Sequence, residues 1–165
     1  MDAGETAGST RLLFDLGGID MSQRVCTKEE IERWIPHRGH MSMLDGVIWQ
    51  DLKIVRGVGI KHVRHDEFWI PGHFPGKPMF PGVLMVESGA QLACYLFLAH
   101  RGRPGIAAFL RIESASFRSM VQPGSDLYLL CKEVKLNSRR FITDIQGVVD
   151  GRIAFNARIS GMMVD

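Results

Sequence analysis

The stretch Val83-Leu84-Met85-Val86-Glu87-Ser88-Gly89-Ala90-Gln91-Leu92-Ala93-Cys94-Tyr95-Leu96-Phe97-Leu98-Ala99 carries a single charge, Glu87, in seventeen residues. A helix that is apolar nearly all round is buried on every side, either in a core or in a bilayer. The length lies at the bottom of the range for a membrane span, about 17–25 residues. Its first half holds Glu87, Ser88 and Gln91, and no second such run exists in the sequence. These features predict the central helix of a soluble protein, with no membrane role.

Immediately before it, four of the seven prolines (Pro71, Pro75, Pro78, Pro81) share a short window with Gly72, Gly76 and Gly82. Proline and glycine at that density fix an irregular, stiff backbone path. Further upstream, Gly46–Gln50 and Ile54–Lys61 read as two strands. Thr27 with Glu30 three residues later is a capping-box pattern for a short helix bearing Ile31, Trp34 and Ile35, which Pro36 ends. Residues 1–22 read as a loosely ordered arm, and 23–165 as one domain. After residue 105 the pattern is β. Phe141, Thr143 and Ile145 alternate with polar neighbours, as do Ile153, Phe155, Ala157 and Ile159. Asp150-Gly151 is a two-residue hairpin signal, and Asn137-Ser138 and Pro123-Gly124 mark further turns.

About four antiparallel strands therefore follow one long helix, an α+β order. A curved antiparallel sheet wrapped around the helix would hide the apolar side of both. On this reading the sheet cannot cover every side of the helix, and a second subunit is expected to complete the burial. A net charge of +2 gives no support for nucleic-acid binding. Cys26, Cys94 and Cys131 are odd in number and far apart, which fits buried thiols in a reducing, cytoplasmic setting. The spacings His37-x-x-His40 and His62-x-x-His65 come without the further ligands of a structural metal site, so no metal is expected.

The chemistry falls on three features. His73 sits in Gly72-His73-Phe74-Pro75-Gly76, where a stiff backbone can aim its ring. Glu87 lies in the apolar helix, where burial would favour the protonated carboxyl. Gly82 starts that helix, whose free N–H groups and positive end would stabilise a carbonyl oxygen gaining charge. A base, an acid and an oxyanion site suit elimination of water from a β-hydroxy carbonyl compound, with no metal or redox cofactor. Gln91, one turn beyond Glu87, is placed to orient its carboxyl or to be a satisfied polar residue at the dimer seam, and it is a candidate substrate-binding residue. Phe74, Pro81 and Val83 are the other candidate substrate-binding residues.

The run Gly72-His73-Phe74-Pro75-Gly76-Lys77-Pro78-Met79-Phe80-Pro81-Gly82-Val83-Leu84, continuing to Glu87 and Ala90-Gln91, resembles the FabZ-like 3-hydroxyacyl-[acyl-carrier-protein] dehydratases. Pro36-His37-Arg38 with Leu44-Asp45, and Phe117-Arg118 with Val121 and Pro123-Gly124, match that family's outer motifs. The resemblance implies a hot-dog fold. It implies dehydration of (3R)-3-hydroxyacyl chains borne on the phosphopantetheine of an acidic carrier protein, in type II fatty-acid synthesis. It further implies a homodimer, commonly a trimer of dimers, in which His73 of one chain faces Glu87 of its neighbour. Gly39-His40-Met41, Ser88-Gly89 and Ser125 depart from the family pattern. Arg118, Lys132, Lys135, Arg139 and Arg140 are candidates for the carrier-protein patch. Thioester hydrolysis and non-catalytic acyl binding are the alternatives, and the intact His/Glu pair argues against both.

Overall fold

The structure, a computed structural model, describes residues 10–164. Strand β1 (Cys26–Thr27) leads into helix α1 (Lys28–Ile31). The Thr27 hydroxyl accepts from the Glu30 N–H, and the Glu30 carboxylate accepts from the Thr27 N–H, so the expected capping box is formed. The helix is shorter than expected and loosens into turns through Ile35. Strands β2 (Gly46–Asp51) and β3 (Arg56–His62) follow, then helix α2 (Gly82–Arg101) and strands β4 (Ala107–Phe117), β5 (Asp126–Leu136), β6 (Arg140–Val149) and β7 (Arg152–Met163). The strands form one antiparallel sheet in the order β1-β2-β3-β5-β6-β7-β4. The β6–β7 turn holds Asp150 and Gly151 at φ 48° and 71°, the left-handed pair that a two-residue hairpin requires.

The sheet curls around α2 in the hot-dog arrangement. Leu92, Leu96 and Phe97 of the helix share one core with Leu127, Leu129, Ile145, Phe155 and Ala157 of the sheet. Gly89 faces that sheet closely: a β-carbon on it would stand 2.9 Å from Ile145 Cδ1. Ser88 is fully buried and returns its hydroxyl to the Leu84 carbonyl at 2.8 Å. The Ser88-Gly89 departure is thus a packing solution in which the helix lies tight on a bulky strand residue.

Two expectations are corrected. First, α2 does not need a second subunit to be covered, because Ser88 to Leu98 are buried within one chain. The loops carry this out: Trp34 meets Tyr95 edge-on at 6.4 Å, and Trp69 and Phe80 join the same core. What stays open is β4. It is an edge strand, and Phe109, Leu110, Ile112 and Phe117 on it are all exposed. Second, the arm is not loose where it is described. Leu13, Phe14, Leu16, Ile19 and Met21 pack on a second apolar cluster, Ile48, Val58, Ile60, Leu130 and Val148. Strand alternation puts Val58 and Ile60 on the sheet face opposite Gly57 and Gly59, whose missing β-carbons make room for Leu96 and Leu92. The buried Gln146 amide ties the arm down, accepting from the Leu13 N–H at 3.2 Å and donating to the Arg11 carbonyl at 3.0 Å. Residues 1–9 of the expected arm lie outside the described residues.

Candidate active site

The segment between β3 and α2 is held from below by an ion pair. Lys61, at 1% exposure, donates to Glu67 Oε1 at 3.0 Å, and the Arg64 N–H donates to the same oxygen at 2.7 Å. Glu67 Oε2 accepts from the Trp69 indole at 3.1 Å. Trp69 in turn accepts the His73 N–H on its carbonyl at 2.9 Å. His73 is then closed on Met79. The Met79 N–H donates to the His73 carbonyl at 2.9 Å, and His73 Nδ1 lies 2.7 Å from the Met79 carbonyl oxygen. A carbonyl only accepts, so Nδ1 carries a proton, and it is the neutral ring's Nε2 that would hold the lone pair a base needs. The Phe74 ring stacks on the imidazole at 4.1 Å.

Pro81 occupies the N-cap of α2 and supplies no side-chain cap, so the first helical N–H groups open at Gly82. The absence of a side chain at Gly82 also makes room for a neighbouring ring. A β-carbon there would meet the Phe117 ring at 2.8 Å. The helix start is thus roofed by an aromatic ring from the end of β4.

Glu87 stands in the second turn of α2. Its side chain is 23% exposed, so the carboxyl is only partly buried. Gln91 Nε2 donates to Glu87 Oε1 at 2.9 Å and to the Met41 carbonyl at 2.6 Å. Gln91 Oε1 accepts from the N–H groups of Met43 and Leu44 at 3.0 and 3.4 Å. At 1% exposure the amide is fully engaged, and it sits as a support under Glu87 rather than as an open substrate contact. His37 Nε2 approaches the same Glu87 oxygen to 3.4 Å. Glu87 Oε2 has no hydrogen-bond partner among the described residues.

A cavity of about 120 Å³ opens beside Glu87. His37, Gln91, Cys94, Ala107, Phe109 and Phe141 are among the residues that line it. Burial pushes the Cys94 thiol up to about 12, so it remains a neutral wall residue. Phe74 and Val83 are exposed, and Pro81 is buried. No contact joins His73 to Glu87 within one chain. His73 is spent on Trp69, Phe74 and Met79, and Glu87 on Gln91 and His37. Sequence reasoning missed the Met79 carbonyl and the contact of His37 with Glu87. The Pro36-His37-Arg38 motif was visible, but nothing local shows that it folds onto a helix fifty residues away.

The basic candidates separate. Arg118 follows Phe117 and so lies at the start of α2. Lys135, Arg139 and Arg140 flank the β5–β6 turn, whose Ser138 carbonyl accepts from Arg101 at the other end of the helix. A helix of 20 residues places the two ends about 30 Å apart.

Residues 35–158 match the model of the FabA-like domain. The chain belongs to the FabA-like family. Its curated FabA-like relatives include the 3-hydroxyacyl-[acyl-carrier-protein] dehydratase FabZ of Brucella melitensis, 37% identical over 131 residues that span 78% of this chain and 83% of that one. The protein of the same name from Granulibacter bethesdensis is 34% identical over 162 residues, covering 95% of this chain and 86% of that one. Among solved structures, the dehydratase heterocomplex ApeI:P from Xenorhabdus doucetiae superposes with a TM-score of 0.72 at 16% identity, over 82% of this chain and 91% of that one. A putative thioesterase from Ralstonia eutropha superposes at 0.58 with 15% identity, over 70% and 82%. The fold therefore hosts more than one chemistry, and the FabA-like site has to decide between them.

Proposed function

We propose that this FabA-like protein removes water from (3R)-3-hydroxyacyl chains on an acyl carrier protein, giving the trans-2-enoyl thioester in type II fatty-acid synthesis. The observation that carries the reading is the His73–Met79 contact. It assigns the base to Nε2 of the neutral ring, aimed by a closed loop, in a motif that continues directly into the helix bearing Glu87. His73 Nε2 takes the α-proton. The electron pair moves through the thioester oxygen, which the N–H groups opening α2 stabilise as it gains charge. The double bond forms as the β carbon–oxygen bond breaks, and Glu87 protonates the departing hydroxyl to give water. Glu87 Oε1 is engaged by Gln91, so the proton is delivered from Oε2. Transfer of the proton now on His73 to Glu87 restores both groups. The reaction is redox-neutral.

Two further parts belong to the same proposal. The working unit is at least a homodimer, commonly three such pairs, with His73 of one copy facing Glu87 of the other. The open apolar edge at β4 supports this, since β4 also walls the cavity beside Glu87. The acidic carrier docks near Arg118, the basic candidate at the helix start, and the protein works in the cytoplasm. Hydration of a short enoyl thioester, followed by loss of its ultraviolet absorbance, tests the assignment. His73→Ala and Glu87→Gln are each expected to lower turnover by about 10²–10⁴-fold, the usual worth of a positioned acid or base. Full activity in both variants, or release of free thiol without enoyl consumption, would overturn it.

A further inference from the structure

The Pro36-His37-Arg38 segment has no part in the reaction as described above, yet it is built with care. Arg38 folds back onto its own turn. Its guanidinium donates to the Glu32 carbonyl at 2.5 Å, to Ile35 at 2.8 Å and to His37 at 2.7 Å. Three carbonyls captured by one side chain fix the backbone on both sides of His37. The ring is then held with Nε2 toward Glu87 Oε1, while Nδ1 is buried without a hydrogen-bond partner among the described residues. A histidine kept only for structure would satisfy its buried nitrogen, because leaving one unpaired is costly. The orientation instead turns Nε2 toward the carboxyl, 3.4 Å away, and leaves the other ring nitrogen unserved.

We propose that His37 is a positioning residue for the acid. The inference rests on the reading of Glu87 as the proton donor. Gln91 and His37 both address Oε1 and leave Oε2 as the outward oxygen. This favours the acid with its proton on Oε2. At 3.4 Å the imidazole stands at slightly more than hydrogen-bond length, a spacing that tightens when charge develops on the oxygen. No bond is made or broken at His37. It steers the side chain that delivers the proton.

The test compares His37→Ala, His37→Phe and His37→Gln in the full-length protein, with kcat and KM measured for an enoyl thioester. His37→Phe keeps a ring of similar bulk but no donor, and His37→Gln keeps a donor but no ring. The expectation is a loss of about 10–100-fold in kcat for the Ala and Phe variants, as for one charge-assisted hydrogen bond, with KM changed by less than about twofold. His37→Gln should recover most of that loss. In a Glu87→Gln background, His37→Phe should cost nothing further, since the group it positions is gone. Wild-type kcat in His37→Phe, or an equal loss in both backgrounds, would overturn the inference while leaving the acid in place. Wild-type turnover in Glu87→Gln itself would overturn the reading of the acid and the positioning role together. Unfolding midpoints of the Phe and Gln variants identify a folding defect, which would depress both alike.

Discussion

The three cysteines show how a side chain's surroundings set its chemistry. Burial raises the Cys26 thiol and lifts those of Cys94 and Cys131 to about 12, above the ordinary value of 9.0. The native protein should therefore resist iodoacetamide at pH 8, and all three thiols should react once it is denatured, as counted by mass spectrometry. The same shifts fix the sign of a pH effect. A thiol that ionises later in the folded state gives stability that is complete below about 9 and is lost as pH rises toward about 12. Unfolding midpoints should fall across that window, and less steeply in a Cys131→Ala variant. At the site, Arg118→Glu should raise KM for the carrier-linked substrate by about tenfold and leave a short free thioester unaffected, the behaviour of a rim charge. The two residues proposed as acid and base stand out in sequence because proline, glycine and a lone carboxyl in an apolar run are local signals. The role of Gln91 was only half legible. Three of its four hydrogen bonds reach residues 41–44, and no spacing rule links those to a helix that begins at Gly82.

Among the elements, α2 and the Asp150-Gly151 hairpin were the most legible, since composition and turn chemistry each allowed one answer. Gly82 was the expected start of α2 and is its first residue, while the apolar run stops at Ala99, two residues before the helix does. The arm was misjudged for a physical reason. Leu12, Leu13, Phe14 and Leu16 form a cluster too short for any periodicity, and its partner is the outer face of the sheet, which alternation alone marks as solvent-facing. Removing residues 1–22 uncovers Ile48, Val58, Ile60, Leu130 and Val148. The truncated protein should lose about 3 kcal/mol or more of stability, at roughly 1.5–3 kcal/mol per side chain left unburied, as read from a denaturant titration. The element beneath His73 has a different weakness. Lys61 is sealed in the interior with Glu67 as its ion-pair partner, and Glu67→Ala strands that charge. A loss of about 3–5 kcal/mol is expected, the usual result of removing one member of a buried pair.

At the scale of the whole molecule, the long apolar edge is the feature that a single chain leaves unresolved. Exposed strand edges bearing large apolar side chains invite pairing. Coexpressing His73→Ala with Glu87→Gln gives a direct test of shared sites. Each variant alone should be nearly inactive. In a mixed pair one site carries both lesions and the other carries neither, so part of the activity should return. No recovery, in a preparation shown by native mass spectrometry to contain mixed pairs, would place both residues of each site in one chain. The expectation that a second subunit must cover α2 is corrected, since the middle of the helix is buried within one chain. The apolar run of the helix suggested that the gap lay on α2, whereas loops from two parts of the sequence, one with Trp34 and one with Trp69 and Phe80, pack on it, and the open face is on β4.

The loop that carries His73 has a property of its own. Its two ends are joined by reciprocal contacts between residues 73 and 79, and within it Phe74 and Lys77 exchange two backbone hydrogen bonds at 3.2 and 2.9 Å. The aim of the imidazole is thus stored in a seven-residue ring that refers mostly to itself. Such a unit behaves like a cassette. It could be spliced between a strand and a helix of another scaffold and still present an imidazole whose Nδ1 is held by a backbone carbonyl.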